Sequence, residues 1–306
     1  MQNDFDIIII GGGPAGCAAA MFVARCKWRT LLIDRGSPGS HLASVGNVSC
    51  FPGFPESISG TDLLSKIRKQ AELEGVKFAK DSVTAIGVDT KPIKVMTDSG
   101  GEYECKAVII ATGAANKSNY LYGEKEFLGK GVFEDVVLDA PSITKRIAAV
   151  IGRNKPAADA AIYISRFADK VHFVIPSSKL DIGQNILDTL ASCKNVEMHY
   201  STSLKKIQGD GHVKKISVLS SGQEKEMEVS GVFSFVHDYQ PTTGFLDKTL
   251  ELGDHGAVKV DENLATSAEN VFACGDVLCA RPQLPAISAA QGVLAGMKVD
   301  RKLLKL

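Results

Sequence analysis

The stretch DIIIIGGGPAGCAAAMFVARC, residues Asp6–Cys26, decides the fold class of this chain. Ile7–Ile10 is a continuous β-branched run, which is typical of a parallel strand covered on both faces. Three glycines follow it, and a helical stretch starts at about Pro14. The next apolar run, TLLID, ends at Asp34. The order of strand, glycine turn, helix and strand predicts a doubly wound α/β fold.

The same order occurs a second time in RIAAVIGRNKPAADAAIYISRF, residues Arg146–Phe167. Strands are then predicted at Ala257–Val260 and Val271–Ala273, and a small-residue helix at Pro285–Lys298. We therefore predict two Rossmann-like three-layer α/β domains, with the second inserted into the first. The predicted first domain is 1–116 plus 244–306, and the predicted second domain is 117–243.

Composition narrows the classes of partner. Lysine plus arginine and aspartate plus glutamate both number 35, so the formal net charge is zero. Nucleic acids and anionic membranes attract proteins with a basic excess, so we expect neither as a partner. No apolar run approaches the roughly 20 residues of a membrane span. The seven cysteines are scattered and no signal peptide is recognised, which favours a cytoplasmic protein with reduced thiols. No metal site is predicted.

The first glycine turn has the spacing of a dinucleotide-binding site. In Gly11-x-Gly13-x-x-Gly16 the first glycine allows the tight turn, the second lets a pyrophosphate approach the backbone, and the third lets helix pack on strand. Asp34 lies about 20 residues further on, where a carboxylate accepts hydrogen bonds from ribose hydroxyls. These features together predict a bound dinucleotide.

Two further segments indicate that this dinucleotide is FAD. Ile110–Gly113 resembles the strand-end ATG of flavin disulfide reductases. NVFACGDV, Asn270–Val277, resembles the segment that places an aspartate on the ribityl chain, here Asp276, with Gly275 permitting close approach. The predicted FAD-binding residues are Gly11, Gly13, Pro14, Ala15, Gly16, Asp34, Arg35, Gly39, His41, Leu42, Val83, Ala111, Thr112, Gly113, Gly275, Asp276, Pro285, Ala286 and Ile287.

Three more segments extend the resemblance over essentially the whole chain. GSHL (Gly39–Leu42), CFPGFPESISG (Cys50–Gly60) and YGEKEFLGKGV (Tyr122–Val132) resemble segments of the low-molecular-weight thioredoxin reductases. The resemblance implies a homodimer in which NADPH binds the inserted domain and reduces FAD. In that family, FAD then reduces a CxxC disulfide of the inserted domain, which reduces thioredoxin.

The chain keeps the family's FAD segments but departs from the family at the CxxC disulfide and at the NADPH-binding residues. The two CxxC cysteines fall on Asp135 and Leu138, and the second glycine of the NADPH turn is Asn154. The arginines that pair with the 2′-phosphate are absent from Ile175–Ser178, and the AIG turn falls on Val236–Asp238. From these changes we expect an inserted domain that is degenerate for NADPH and does not bind it productively.

The altered turn leaves two alternatives open. Gly152, Arg153, Asn154 and Lys155 could bind another phosphate-bearing ligand at the helix N-terminus, or Arg153 and Lys155 could be ordinary solvated charges. Cyanobacterial diflavin-linked disulfide oxidoreductases, which this chain resembles in what it lacks, hold a second FAD there. A second FAD or another adenine nucleotide is therefore one expectation, and an empty domain is the other.

Two cysteines are candidates for a relocated redox pair. Cys50 and Cys279 both lie on the flavin side by analogy with the family, although cysteine is also a common small buried residue. A disulfide between them would need Cα atoms within about 7 Å. His41 replaces a glutamine near the flavin and could influence its protonation or make a structural hydrogen bond.

These inferences lead to an expected function. The chain would be an FAD-dependent oxidoreductase of thioredoxin reductase type that works without a pyridine nucleotide. It would take electrons from ferredoxin or flavodoxin, or through a second flavin, and pass them to a thioredoxin-like or small disulfide. The alternative is a flavin-binding or redox-sensing protein without turnover. An NADPH-dependent thioredoxin reductase is the less favoured interpretation.

Overall fold

A computed structural model of the chain describes residues 4–36, 41–46, 48, 51–116, 121–133, 135–236, 239–246, 249–279 and 284–306. Within those ranges, no helix is both long enough and apolar enough to cross a membrane. Helices and strands are numbered along the chain. The α-helices are α1 (Pro14–Arg25), α2 (Gly60–Leu73), α3 (Val136–Asp139), α4 (Lys155–Ile164), α5 (Gln184–Ser192) and α6 (Pro285–Leu304). The strands are β1 (Ile7–Ile10), β2 (Thr30–Asp34), β3 (Lys77–Lys80), β4 (Val83–Gly87), β5 (Ile93–Thr97), β6 (Glu102–Cys105), β7 (Ala107–Ile110), β8 (Ala114–Asn116), β9 (Val132–Phe133), β10 (Ile147–Ile151), β11 (Lys170–Val174), β12 (Val196–His199), β13 (Thr202–Asp210), β14 (His212–Ser220), β15 (Gln223–Glu228), β16 (Gly231–Ser234), β17 (Tyr239–Pro241) and β18 (Val271–Ala273).

The chain divides into two compact units. The first contains 1–44, 51–116 and 239–306, and the second contains 45–50 and 117–238. Two short stretches differ from the predicted boundaries. Residues 239–243 lie in the first unit because β17 pairs antiparallel with β8 of that unit. Residues 45–50 lie in the second, where Gly46 packs against Gly129, so closely that a Cβ on Gly46 would lie 3.1 Å from the Gly129 Cα.

A parallel sheet is the centre of the first unit. Its strand order is β18-β7-β1-β2-β3, and β1 lies in the middle because both of its faces are apolar. Ile7 and Ile9 pack in one core cluster with residues of α1 and α6. Ile8 and Ile10 pack in a second cluster with residues of β4 and β5. The alternating side chains of one strand thus join a helical layer to an antiparallel layer, as strand geometry requires.

The antiparallel layer of the first unit was not predicted from the sequence. It is a three-stranded sheet in the order β4-β5-β6. In β5 the residues Ile93, Val95 and Thr97 are buried, whereas Lys94 and Met96 are partly or fully exposed. This alternation is typical of a half-buried strand, but it extends over only five residues. The layer covers the second face of the parallel sheet.

The second unit repeats the three-layer arrangement. Its parallel sheet has the order β12-β11-β10-β16-β9, and its antiparallel sheet the order β13-β14-β15. Val150 and Phe173 pack in a cluster with residues of α4, whereas Ala149 and Ile151 pack with residues of β14. The predicted fold of two three-layer α/β domains, one inserted into the other, is confirmed.

Two predicted elements of the first unit need correction. Ala257–Val260 does not form a strand, because its pairing is limited to an isolated bridge between Leu252 and Val258. The last helix does not end at Lys298 but continues to Leu304. The added turns keep the fully buried Val299 and the partly buried Leu303 in the core cluster that contains α1.

Gly292 of α6 provides a test of the contact between α6 and α1. A Cβ on Gly292 would lie 2.0 Å from the Ala15 carbonyl oxygen, so Gly292→Ala forces the two helices apart. We expect the free energy of unfolding to fall by about 1–3 kcal/mol, the usual cost of overpacking. Thermal denaturation followed by circular dichroism measures this loss of stability. Gly244→Ala is the matched control, because a Cβ there meets no atom within 4 Å. Equal melting temperatures for the two variants would contradict this account of the packing.

Candidate functional site

The turn between β1 and α1 depends on two glycines that have no room for a side chain. Gly11 has φ +107°, and a Cβ on it would lie 2.3 Å from the Ala111 carbonyl oxygen. A Cβ on Gly16 would lie 1.8 Å from the Gly11 carbonyl oxygen. Real Cβ atoms do not approach oxygen so closely, so the backbone of the turn lies directly against the end of β7 and the first turn of α1.

The N-terminus of α1 presents backbone donors. Gly13 is the N-cap residue, no side chain caps the helix, and its first turn contains no acidic residue. Pro14 occupies the first helical position, where its missing N–H costs no hydrogen bond. The amides of the first turn and the positive end of the helix dipole therefore favour a bound anion such as a phosphate.

Asp34 connects the end of β2 to this turn. Its Oδ2 accepts a hydrogen bond from the Gly12 N–H at 2.7 Å, and its Oδ1 accepts one from the Gly36 N–H at 2.7 Å. The carboxylate thus holds two backbone segments in place. Each oxygen has a second lone pair, so the same residue can also accept hydrogen bonds from a ribose.

The remaining parallel strands bring two more predicted segments to the same edge of the sheet. β7 ends at Ile110 and β18 ends at Ala273, each in parallel with its neighbour. Ala111–Gly113 and Gly275–Asp276 therefore follow the carboxyl ends of strands adjacent to or near β1. In open α/β sheets, ligands bind outside the carboxyl ends of the strands, where the strand order reverses.

Side chains of α6 hold the Gly275–Asp276 segment, and the sequence patterns did not reveal them. The Gln291 Oε1 accepts a hydrogen bond from the Gly275 N–H at 2.8 Å. The Ser288 hydroxyl donates to the Asp276 Oδ1 at 3.0 Å. Positions 288 and 291 are three residues apart on one helix face, which is the only sequence signal that could have indicated their shared role.

The other predicted FAD residues take several places. Arg35 is exposed after β2, Val83 begins β4, and Pro285, Ala286 and Ile287 form the first turn of α6. Leu42 is buried in a short 3₁₀ turn. Gly39 and Cys50 lie outside the described residues, as does the side chain of His41.

The glycine turn fits the adenine dinucleotide part of FAD. Gly11 and Gly16 leave a cradle that a Cβ would fill, and α1 starts without a side-chain cap. The Asp34 carboxylate lies at the end of the neighbouring strand. These are the features that hold a pyrophosphate and a ribose in Rossmann-type sites.

The corresponding turn of the second unit is built differently. Gly152 is retained, and a Cβ there would lie 2.5 Å from the Ala157 Cβ. Asn154 is the N-cap of α4, with φ −104°, and its Oδ1 accepts a hydrogen bond from the Ala157 N–H at 3.1 Å. The asparagine therefore does not use its tolerance of positive φ. Each helix has one proline in its first turn, Pro14 in α1 and Pro156 in α4, so the Asn154 cap is what leaves fewer uncapped N–H donors at α4 than at α1.

The charged residues of this second turn are solvent-exposed. Arg153 and Lys155 flank Asn154, and Lys155 forms an ion pair with Asp159 at 2.6 Å, one helical turn along α4. An exposed pair of this kind contributes about 0.3–0.5 kcal/mol. It leaves Lys155 able to turn toward an anion at the helix N-terminus.

The described cysteines differ in reactivity. Burial raises the pKa of the Cys17, Cys105 and Cys274 thiols to about 12, so these three are not thiolates near neutral pH. Cys279 differs because it is half-buried and has φ +51°. A positive φ in a cysteine costs free energy, and Cys279 adopts it where it ends the short 3₁₀ helix that contains Gly275 and Asp276.

Comparisons with known proteins agree with this architecture. The family model described as pyridine nucleotide-disulphide oxidoreductase matches residues 5–292. A thioredoxin reductase of Aquifex aeolicus is 38% identical over 98% of this chain and 93% of its own length. NADPH-dependent thioredoxin reductase 3 of Arabidopsis thaliana is 32% identical over 97% of this chain and 58% of its own length. The structure of thioredoxin reductase from Streptococcus pyogenes has a TM-score of 0.94 at 29% identity and covers 100% of both chains.

These findings overturn the expectation of an oxidoreductase that works without a pyridine nucleotide. The two curated relatives named above match nearly the whole of this chain and are both thioredoxin reductases, and one of them is named as NADPH-dependent. Asn154, Ser177 and Ser178 differ from the family's contact residues, but the complete β10-α4-β11 scaffold is retained. Gly152 is retained as well and keeps the strand-to-helix turn tight.

Replacing Asp34 tests whether its carboxylate organises the glycine turn. Asp34→Asn leaves one acceptor oxygen for the two N–H groups of Gly12 and Gly36, so one N–H faces an amide donor. Loss of a hydrogen bond to a charged group costs about 1.5–3 kcal/mol, so we expect FAD affinity to fall about tenfold or more. Fluorescence titration of the FAD-depleted protein with FAD measures this affinity. Asp89→Asn, at an exposed turn, should bind FAD as the unaltered protein does, and equal affinities for both variants would contradict the assignment.

Proposed function

Because this chain belongs to the pyridine nucleotide-disulphide oxidoreductase family, we propose that it is an NADPH-dependent, FAD-containing reductase of the thioredoxin reductase type. The observation that carries the proposal is 38% identity to a thioredoxin reductase over 98% of the chain. The glycine turn at Gly11–Gly16 supports it, because this is the half of the molecule that would hold FAD. The substrate class is a protein disulfide, with a thioredoxin as the partner.

Residues of the first unit would bind and orient FAD. The α1 N-terminus would hold the pyrophosphate, Asp34 the adenosine ribose and Asp276 the ribityl chain. Ser288 and Gln291 would keep the Asp276 segment in position through their hydrogen bonds. When bound, FAD accepts a hydride from NADPH and passes two electrons to a disulfide, which takes up two protons to become two thiols.

The second unit would bind the pyridine nucleotide at the β10-α4 turn. Gly152 lets the turn close, and the exposed Arg153 and Lys155 would provide positive charge for the phosphates. Asn154 would release its hydrogen bond to the Ala157 N–H so that this amide can face the ligand. Ser177 and Ser178 stand where the family has arginines, so the 2′-phosphate of NADPH would be bound by hydroxyls and by nearby cations. We do not include a second FAD, and we expect one flavin per chain.

The thiols that would pass electrons to a disulfide are placed differently in this chain than in the thioredoxin reductase family. No two of its seven cysteines have the CxxC spacing. Asp135, at the position of the first family cysteine, instead caps the short α3 by accepting a hydrogen bond from the Leu138 N–H at 2.9 Å. Cys279 is the candidate relay thiol, supported by its half-buried side chain and its left-handed backbone. Its pairing with Cys50 remains a prediction, as do the homodimer and the cytoplasmic location.

Anaerobic reduction by NADPH tests the proposal directly. Mixing the FAD-loaded protein with excess NADPH should bleach the oxidised-flavin absorbance, because NADPH is the hydride donor in the proposed reaction and a reduced flavin loses that absorbance. Stopped-flow absorbance measures the rate. The same protein mixed with dithionite gives the fully bleached reference. Flavin that stays oxidised with NADPH, while dithionite bleaches it, would contradict NADPH dependence.

A variant of the second turn sharpens this test. Asn154→Gly frees the Ala157 N–H for a phosphate, at a capping cost of only a few tenths of a kcal/mol. We expect bleaching to reach half its maximal rate at a severalfold lower NADPH concentration. Asn185→Gly, in the first turn of α5 of the same unit, is the matched control and should leave the concentration dependence unchanged.

Replacing Cys279 separates the two halves of the reaction. Cys279→Ser should keep the NADPH-driven bleaching of the flavin, because this thiol is not needed for hydride transfer. It should lower the reduction of thioredoxin, or of a small aromatic disulfide, by at least about tenfold, since serine cannot carry electrons as a disulfide. Cys26→Ser, at an exposed position on the first unit, is the control. Full disulfide reduction by Cys279→Ser would rule out Cys279 as the relay and leave the NADPH proposal standing.

A further inference from the structure

Three metal-ligating side chains meet at one edge of the second unit's parallel sheet. His172 lies on β11, and Glu197 and His199 lie on β12, which is the outer strand of that sheet. The parallel register pairs His172 with Glu197 and Val174 with His199. Residues opposite each other in a sheet point to the same face, as do residues two apart on a strand. All three side chains therefore project from one face.

The donor atoms of these side chains lie close together. The Nδ1 of His172 is 2.9 Å from the Nε2 of His199. The Glu197 Oε2 is 3.8 Å from the His172 Nδ1, and its Oε1 is 3.8 Å from the His199 Nε2. The three ligand atoms fall within 4.8 Å of one another, in the only such group found among the described residues.

The spacing of these atoms is close to that of a zinc centre. Two nitrogen or oxygen ligands bound tetrahedrally at about 2.0–2.1 Å lie roughly 3.3 Å apart. The two imidazole nitrogens would have to separate by a few tenths of an ångström from 2.9 Å, and the carboxylate would have to approach by about as much. Small rotations of the three side chains achieve both movements.

The surroundings favour this ligand set in two ways and oppose it in one. The two imidazoles are largely shielded, with side chains 10% and 17% exposed, and desolvation by burial lowers the pKa of His172 to about 4. Lys170 binds the Glu197 Oε2 at 2.7 Å and so orients the carboxylate, as outer residues do at metal sites. The positive charges of Lys170 and of Lys225, which also acts on His199, oppose a dication.

We propose that His172, Glu197 and His199 form a three-ligand site for a divalent transition metal of the zinc type, with water as the fourth ligand. Two imidazoles and a carboxylate suit Zn²⁺ better than Mg²⁺ or Ca²⁺, which prefer oxygen ligands. The metal would tie the outer strand β12 to β11 and would stabilise the second unit. Because two lysines oppose the charge, we expect micromolar affinity.

Zinc titration of the intact protein tests this site. The protein is stripped with a chelator, dialysed and titrated with ZnCl₂ by calorimetry, and its melting temperature is measured with and without Zn²⁺. We expect one Zn²⁺ per chain and a rise in melting temperature, since a ligand that binds only the folded state stabilises it. Glu197→Gln and His199→Ala each remove one ligand and should weaken binding at least about tenfold. Co²⁺ in place of Zn²⁺ should give the visible absorption of a four-coordinate site.

The matched control is His212→Ala, which removes an exposed histidine of the same unit at the start of β14 and should bind Zn²⁺ as the unaltered protein does. The His172 side chain is not replaced, because its burial would confuse loss of a ligand with loss of folding. Two results would overturn the proposal. One is no saturable Zn²⁺ binding, which leaves a hydrogen-bonded histidine pair. The other is Zn²⁺ binding in Glu197→Gln and His199→Ala that is as strong as in the unaltered protein, which places the zinc at other residues.

Discussion

The first unit depends on the close approach of backbone to backbone around the N-terminal turn of α1. Three glycines from different segments lie against the first turn of α1, namely Gly11 after β1, Gly275 after β18 and Gly292 in α6. A Cβ on Gly16 would lie 1.8 Å from the Gly11 carbonyl oxygen, one on Gly292 would lie 2.0 Å from the Ala15 oxygen, and one on Gly275 would lie 2.8 Å from the Ala15 Cβ. Because these positions lack side chains, β1, α6 and the loop after β18 can converge on a single helical turn. That convergence brings Asp34 and Asp276, on separate segments, to the edge of the sheet where a dinucleotide would bind.

The second unit uses the same order of strand, turn and helix, but the first N–H groups of its helix find a hydrogen-bond acceptor in another way. Gly152 keeps the strand close to α4, as Gly16 keeps α1 close to the end of β1. At α1 the first-turn amides have no side-chain cap, whereas at α4 the Asn154 side chain already accepts from the Ala157 N–H. An N-cap of this type stabilises a helix by about 1 kcal/mol. A nucleotide binding there would have to compete with the protein's own cap, so in the proposed function Asn154 would influence nucleotide affinity independently of the scaffold.

In the first unit, two strands that the sequence predicted are fully buried, whereas the antiparallel strands that it missed are only partly buried. The strands Ile7–Ile10 and Val271–Ala273 were predicted with the bounds that the structure has, because each is a continuous apolar run that ends at a turn. The β4-β5-β6 sheet was missed because its strands are short and alternate polar and apolar residues. The prediction that NADPH is not used was wrong for a related reason. Single residues such as Asn154 and Ser177 were compared with a motif, whereas similarity along the whole chain reflects the scaffold that positions them.

The His172, Glu197 and His199 cluster shows why some sites cannot be read from spacing along the chain. His172 and His199 are separated by 27 residues, and no local motif relates them. Their contact follows from the parallel register of β11 and β12, which a helix, α5, makes possible by returning the chain to the start of the sheet. A shift of that register by one residue would turn His199 and Glu197 to the opposite face. The ligand set is thus a property of the fold, and only a structure with defined register can place its three members together.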